Sequence, residues 1–192
     1  IRLSFLELDQ ASANLACQFV KCGLKRGDCV VVQLPNIVEL MVLYMAVSKI
    51  GVIISPIPVQ YGAHEILQIC GSVLPKAFIT IDRFKDDKLA VNACQLLDSS
   101  MDVFAFGNSS SGVTQLALDC ELIEENVLAL EHYQASYPIT GDHIITICWT
   151  SGTTGTPKGV PRSHNMWVTV CRRCIESGEI ETGDRLLNPF PM

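Results

Sequence analysis

Apolar and polar positions follow two alternating periods along the chain. Segments with an apolar residue every three or four positions predict amphipathic helices, and continuous apolar runs of about four to eight residues predict buried strands. Helices are expected over residues 5–22, 37–50, 65–73, 84–97, 122–130 and 164–177. Strands are expected over residues 29–34, 52–55, 77–81, 102–106 and 144–149.

This succession predicts an α/β fold with a mainly parallel sheet and helices on both faces, because strands that alternate with helices pair through helical crossovers. A Ser- and Asn-rich stretch over residues 107–112 is typical of a solvent-exposed loop. We therefore predict a first α/β subdomain over residues 1–110. Residues 111–192 are predicted to hold a linker and the start of a second α/β subdomain.

The first two helices carry signals at both ends. Ser4 with Glu7 and Asn36 with Glu39 match the capping box, in which two side chains each accept a hydrogen bond from the other residue's backbone N–H. Glycines at positions 23 and 51 are expected to end these helices, since glycine adopts the left-handed conformation without steric cost.

A run rich in glycine and threonine over residues 150–159 carries the clearest chemistry in the chain. Its glycines tolerate the conformations in which successive N–H groups converge on an anion, and its hydroxyls add further donors. Lys158 adds a mobile positive charge, and Pro157 stiffens the backbone before it. The predicted phosphate ligands are Thr150, Ser151, Gly152, Thr153, Thr154, Gly155, Thr156, Lys158 and Gly159.

The neighbouring segments place this run in the fold. It follows the strand predicted at 144–149 and precedes a helix that Ser163 would cap and Gly178 would end. Neither the Walker nor the dinucleotide spacing fits, because Pro157 precedes the lysine and a glycine follows it. A strand, an anion-binding loop and a helix are therefore expected in this order, and a surface turn without a ligand is the alternative. The apolar side of the helix is predicted to be buried and holds Trp167, Val170, Cys171 and Cys174.

Residues 150–160 resemble the phosphate-binding signature of the adenylate-forming superfamily, which comprises acyl-CoA synthetases, aryl-acid and amino-acid adenylation domains, and luciferases. Residues 3–8, residues 34–51 and the prolines at 56 and 58 also follow the order of that superfamily's amino-terminal region, so the resemblance covers the whole chain. The loop is the specific part of the match. The resemblance implies an amino-terminal fragment of an AMP-dependent acyl-CoA synthetase-like ligase, taken from its large N-terminal domain.

The resemblance also implies a reaction: ATP activates a carboxylic acid, a fatty or other organic acid, to an acyl adenylate, and CoA then receives the acyl group. Thr153 and Thr154 match the superfamily's phosphate donors, Ser151 matches the hydroxyl offered to Mg²⁺, and Lys158 is interpreted as a pyrophosphate contact. The catalytic residues and the adenine, ribose and acyl sites belong to later motifs, so the fragment alone is expected to be inactive. Two alternatives stay open: an aryl-acid or amino-acid adenylation domain that loads a carrier protein, and a nucleotide-binding module without turnover.

Composition restricts the partners. The 14 basic residues are scattered among 20 acidic ones and the net charge is −6, which argues against a nucleic-acid surface. The most apolar stretch, residues 40–57, is interrupted by Lys49, Gly51 and Pro56, so no membrane span is predicted. An apolar content of 48% is high for this length and indicates that further polypeptide covers part of the surface. The expected partners are the acid, ATP and CoA, and a homo-oligomer is left open.

The nine cysteines and four histidines form no metal-binding pattern. Cys171 and Cys174 make a single Cys-x-x-Cys without a second pair, and most cysteines are interpreted as core thiols in a reducing cytoplasm. The histidines at 64, 132 and 143 are isolated in sequence. His164, at a predicted helix start, is interpreted as a capping or packing residue and not as a catalytic base.

Overall fold

The computed structural model describes residues 2–108, 111–121, 123–150 and 157–186. The helices in these ranges are α1 (Phe5–Lys21), α2 (Val38–Ile50), α3 (Ala63–Val73), α4 (Leu89–Leu96), α5 (Glu124–Ser136) and α6 (His164–Ser177). The strands are β1 (Cys29–Gln33), β2 (Ile53–Pro56), β3 (Ala77–Ile81), β4 (Asp102–Phe106), β5 (Thr114–Leu116), β6 (Ile144–Thr150) and β7 (Lys158–Ser163).

The seven strands of these ranges lie in one sheet, in the order β5-β4-β3-β1-β2-β6-β7. Neighbouring strands are parallel except for β6 and β7, which are antiparallel. The predicted α/β fold with a mainly parallel sheet is therefore confirmed. The carboxyl ends of the parallel strands meet at one edge, the edge at which open α/β sheets bind ligands.

Successive residues of β1 point to opposite faces of the sheet, which divides the core in two. Val30 and Val32 belong to a cluster with apolar side chains of α1, α2 and α5, whereas Val31 belongs to a cluster with those of α3 and α4. Phe19 of α1 packs edge-on against Phe104 of β4, with ring centroids 5.7 Å apart. Helices therefore cover both faces, as the alternation of elements predicts.

The capping box at the start of α1 is present. The backbone N–H and the hydroxyl of Ser4 each donate to Glu7 Oε2 at 2.7 Å, and the Glu7 N–H donates to Ser4 Oγ at 3.2 Å. These hydrogen bonds, the backbone one first, lower the pKa of Glu7. The second predicted box is wrong: the N-cap of α2 is Ile37, which shifts Asn36 and Glu39 out of the capping register.

Two helices differ from their predicted bounds by more than two residues, and strand β5 was not predicted. Helix α4 begins at Leu89 instead of residue 84, because Phe84 and Asp87 pair in a turn in which Lys85 has φ 54°. Helix α5 continues to Ser136, six residues beyond its predicted end. Strand β5 has only three residues at the edge of the sheet, too few for a periodic signal.

Helix α6 has the predicted cap but not the predicted burial. Ser163 Oγ accepts a hydrogen bond from the Met166 N–H at 3.3 Å, and Gly178 lies at the C-cap. None of the residues of α6 is buried, and Cys171 and Cys174 are exposed, so their interpretation as core thiols is wrong. The helical period identifies an apolar side, but it does not reveal whether another element covers that side.

The sheet continues past the subdomain boundary predicted at residue 110. Strand β6 pairs with β2 through Ile54 and Thr146, and α5 packs against α1 and α2. Tyr133 of α5 bridges the first part of the chain, because its hydroxyl accepts the Arg26 N–H at 2.8 Å and donates to the Ile50 carbonyl at 3.2 Å. The boundary between residues 110 and 111 stays a prediction.

Candidate functional site

A β-hairpin carries the candidate phosphate loop. Strands β6 and β7 pair in antiparallel register from Ile144 with Ser163 to Thr150 with Lys158, and residues 151–157 connect them. The Thr150 hydroxyl donates to the Lys158 carbonyl at 3.4 Å. The connection is therefore held at both ends, at the carboxyl end of a strand that runs parallel to β2.

Strand β7 corrects the predicted order of strand, loop and helix. Residues 158–163 pair with β6, and α6 begins only after them. Gly159 and Pro161 are both depleted in strands, so the local sequence gives no strand signal there. Cross-strand pairing overrides this low propensity. The chain thus runs strand, loop, strand and helix.

The predicted phosphate ligands divide into two groups. Thr150, Lys158 and Gly159 lie in the hairpin, and all three are exposed. Residues 151–156, which include the predicted metal ligand Ser151, lie outside the described residues, so their roles stay predictions. The exposed hydroxyl and ammonium groups at the two strand ends suit a polyanion, because charged and neutral donors both bind phosphate oxygens.

The indole of Trp149 lies across the hairpin from Gly159. These two residues are paired, and a Cβ at position 159 would lie 3.2 Å from Trp149 Cη2 and 2.9 Å from Ile147 Cγ2. Glycine is therefore required by this close approach, in addition to any role in phosphate binding. On the side of the parallel sheet, Trp149 Nε1 donates to Ser55 Oγ of β2 at 2.8 Å.

A pocket of about 440 Å³ opens beside the hairpin. Its walls come from the carboxyl ends of β1, β2 and β6 and from the segments that follow β1, β2 and β3, and they include Leu34, Pro56, Ile57, Phe84 and Trp149. The lining is mainly apolar. An apolar cleft at this edge of an open sheet is the usual position of a small-molecule site.

Arg162 lies away from this pocket, on the other side of the hairpin. Its guanidinium stands 5.1 Å from the centroid of the Trp167 ring, within the range of a cation–π interaction. Trp167 Nε1 in turn donates to Thr146 Oγ1 of β6 at 2.9 Å. These contacts attach the start of α6 to the hairpin.

Comparison with known proteins agrees with this arrangement. The profile of the AMP-binding enzyme family matches residues 1–192. The chain belongs to this family. The resemblance predicted from the sequence over the whole chain is thereby confirmed.

Among relatives of this AMP-binding enzyme, the enterobactin synthase component E of Escherichia coli (strain K12) is 31% identical over 99% of the chain and 34% of that protein. The long-chain-fatty-acid–CoA ligase FadD13 of Mycobacterium tuberculosis (strain ATCC 25618 / H37Rv) is 24% identical over 100% of the chain and 36% of that protein. The chain thus spans about a third of the length of the curated relatives it matches.

Solved structures show the same fold. The acetoacetyl-CoA synthetase from Streptomyces lividans superimposes with a TM-score of 0.76 and 22% identity over 100% of this chain and 30% of that one. The N-terminal domain of FACL13 from Mycobacterium tuberculosis gives a TM-score of 0.74 and 23% identity over 100% of this chain and 45% of that one. The α/β architecture of this AMP-binding enzyme therefore recurs in synthetase N-terminal domains.

The histidine, cysteine and acidic side chains of the described ranges add no metal-binding cluster beside the hairpin. His164 is the first residue of α6 and is half-buried, and burial followed by the neighbouring charge of His143 lowers its pKa. This position agrees with a packing residue. Within the same ranges, no group of three or more His, Cys, Asp or Glu side chains could hold a metal ion. None of the described helices is both long and apolar enough to cross a membrane.

Proposed function

We propose that this AMP-binding enzyme, in its full-length form, activates a carboxylic acid with ATP and transfers the acyl group to CoA. The observation that carries the proposal is the hairpin β6–β7. It holds the two ends of a glycine- and hydroxyl-rich loop at the ligand-binding edge of a parallel sheet, next to an apolar pocket. A phosphate chain at the loop and an organic group nearby are the two ligands that acid activation brings together.

The residues have distinct roles in this proposal. The amides and hydroxyls of residues 151–156 bind the β- and γ-phosphates of ATP, with Thr150 and Gly159 at the ends of the loop. Lys158 contacts the pyrophosphate, and its exposed position leaves the ammonium group free to reach it. Ser151 would provide one of the ligands of Mg²⁺, and the metal ion would supply charge neutralisation at the phosphates.

The chemistry follows from this placement. With two phosphates held in the loop, the α-phosphate faces the neighbouring space, where a carboxylate attacks it in line and pyrophosphate leaves. Positioning and charge stabilisation supply the rate enhancement, since attack of an anion on a polyanion is otherwise suppressed. The acyl adenylate then reacts with the thiol of CoA, and AMP is released.

The 192-residue chain alone is proposed to be inactive, since its relatives are about three times as long and the expected catalytic motifs follow this region. We further propose a cytoplasmic enzyme with a small-molecule acid, ATP and CoA as its partners. Acid-dependent exchange of pyrophosphate into ATP, measured on the full-length enzyme with a panel of carboxylic acids, tests the activation step. Absence of exchange with every acid would contradict the proposal.

The substitution Lys158→Ala tests the assigned pyrophosphate contact. Removing a charged hydrogen-bond donor from a phosphate site costs about 1.5–3 kcal/mol, so we expect the KM for ATP or pyrophosphate to rise about 10- to 100-fold. The matched control is Lys76→Ala. Lys76 is also exposed, but it directly precedes β3 and so lies at the amino ends of the parallel strands, away from the loop. Equal kinetics in both variants would remove Lys158 from the site.

The acceptor has a specific alternative. The relatives include a synthase component as well as CoA ligases, and the second candidate function is the aryl-acid or amino-acid adenylation domain that loads a carrier protein. Parallel assays of the full-length enzyme with CoA and with a phosphopantetheinyl carrier protein distinguish the two. Binding of ATP without any acid-dependent exchange would instead support a nucleotide-binding module.

A further inference from the structure

The loop-bearing hairpin β6–β7 joins the parallel part of the sheet through one pair of residues. Strand β6 has seven residues, but its register with β2 pairs Ile54 with Thr146 and no other residues of the described chain. Past this pair, both strands line the pocket, Pro56 from β2 and Trp149 from β6. Main-chain pairing with β2 therefore does not reach the part of β6 nearest the loop, which is paired with β7 alone among the described strands.

The side chain of Trp149 links β6 to β2 beyond the point where their main chains pair. Its Nε1 donates to Ser55 Oγ at 2.8 Å, and Ser55 is fully buried in β2. The half-buried ring also packs against the apolar cluster that contains Val31 and Ile57. A single side chain thus attaches the end of β6 to the interior of the parallel sheet, two residues before the connection begins.

The same ring also contacts the strand that leaves the loop. Gly159 lies directly across from Trp149, and a Cβ at position 159 would lie 3.2 Å from the ring and 2.9 Å from Ile147. The ring therefore lies against both strands that carry the ends of the connection. Through its bond to Ser55 it links this paired unit to β2.

We propose that Trp149 is a positioning residue for the nucleotide, because its hydrogen bond to Ser55 holds the loop-bearing end of the hairpin against β2. The inference rests on the proposed function of the loop. An anion site built from backbone N–H groups depends on the placement of its two ends, and a displacement of about 1 Å in such a site reduces activity by up to about 100-fold. Trp149 acts through the loop and is not itself required to touch the phosphates.

The two tryptophans provide a matched pair of variants. Trp149→Phe removes the hydrogen bond to Ser55, whereas Trp167→Phe removes an equivalent indole hydrogen bond to Thr146. Each variant loses one partly buried side-chain hydrogen bond that involves β6. A loss of ATP affinity that reflects only lower stability would therefore appear in both. Ser55→Ala removes the same bond from the other partner and leaves the Trp149 ring intact, which covers the case in which Trp149→Phe fails to fold.

The experiment compares the dissociation constant of ATP, measured by titration calorimetry on the full-length enzyme, with the melting temperature of each variant. We expect Trp149→Phe and Ser55→Ala to weaken ATP binding about three- to tenfold and to raise the KM for ATP with little change in kcat. Trp167→Phe should bind ATP like the wild type, even where its melting temperature falls by a similar amount.

The outcomes separate this inference from the proposed function. Wild-type affinity in both Trp149→Phe and Ser55→Ala, or an equal loss in Trp167→Phe, would overturn the role of Trp149 while the loop stays a nucleotide site. A wild-type enzyme that does not bind ATP at all would overturn the proposed function and this inference together.

Discussion

At the scale of single residues, burial changes the acidity of the thiols. Cys29 and Cys70 pack between β1 and α3, where loss of solvation raises the pKa of Cys29 to about 12 and that of Cys70 to about 11. The proximity of Cys70 contributes further to the shift at Cys29. A thiol whose pKa is higher in the folded state stabilises that state below its unfolded pKa, and this contribution is lost as the pH rises.

We therefore expect the free energy of unfolding to fall as the pH rises above about 9, since the unfolded thiols ionise there while the folded ones stay protonated until about pH 11–12. The slope contributed by each thiol is at most about 1.4 kcal/mol per pH unit. Urea unfolding of Cys29→Ala at pH 8.5 and 10.5 under reducing conditions should show a smaller loss than the wild type. The exposed Cys171→Ala serves as the control and should keep the wild-type slope.

The cysteines also show what residue-level sequence patterns leave undetermined. Cys17 and Cys70 are buried, as expected for apolar positions on helices with a covered side. Cys171 and Cys174 have the same periodic signature but are exposed. The difference lies in which other elements pack against the helix, and no local pattern contains that information.

At the scale of elements, helix termini follow local hydrogen bonding. The N-terminus of α1 is fixed by the reciprocal bonds between Ser4 and Glu7. We expect Ser4→Ala to lower the free energy of unfolding by about 1 kcal/mol, because a backbone N–H at the first turn loses its partner. Chemical denaturation at neutral pH measures this loss.

Ser72→Ala is the matched control for the cap, because Ser72 is an exposed helical serine whose hydroxyl donates to the Gln68 carbonyl four residues earlier. That bond adds a second donor to a carbonyl and caps nothing, so its removal should change stability by no more than about 0.5 kcal/mol. An equal loss in both variants would contradict the capping role of Ser4.

Elements with a strong period were predictable, whereas strands that depend on pairing with a neighbouring strand and not on their own composition were not. The bounds of β3 and β4 agree with the prediction, since both are compact β-branched and aromatic runs. Strand β7 was missed, because Gly159 and Pro161 are strand breakers in sequence but fit an edge strand opposite a large indole. The same contact explains why glycine occupies position 159.

At the scale of the whole molecule, helix α5 connects the later part of the chain to the earlier one. The hydroxyl of Tyr133 contacts the Arg26 N–H and the Ile50 carbonyl, and the Arg26 guanidinium donates to the Pro138 carbonyl at 2.8 Å. These bonds join the turn before β1, the end of α2 and the segment after α5. Burial, first among several causes, raises the pKa of Tyr133.

We expect Tyr133→Phe to destabilise the protein by about 1–3 kcal/mol, since two partly buried backbone groups lose their partner while the ring stays in place. Tyr137→Phe is the control: its ring lies 4.9 Å from that of Tyr133, but the residue is exposed and its change should stay within about 0.5 kcal/mol. Denaturation curves of the two variants that coincide would contradict the bridging role of the Tyr133 hydroxyl.

Only part of the candidate site could be predicted from the sequence, because the residues that support it are far apart along the chain. The composition of residues 150–159 and their place after a buried strand indicate a phosphate loop from sequence alone. The contact between Trp149 and Ser55 joins residues 94 positions apart, and neither residue carries a sequence signal that points to the other. The phosphate-binding chemistry of the loop could be inferred from the sequence. The contact that attaches the loop-bearing strand to β2 could be identified only from the structure.

The limited pairing between β2 and β6 also has a consequence for the order of folding. Strands β6 and β7 are joined by a short connection, so the hairpin can form early. Docking of β6 onto β2 must instead close a loop of about 90 residues, which costs more conformational entropy. The indole reaches its serine only when this docking is complete. We therefore expect the hairpin to dock late, after the five-stranded part of the sheet has assembled.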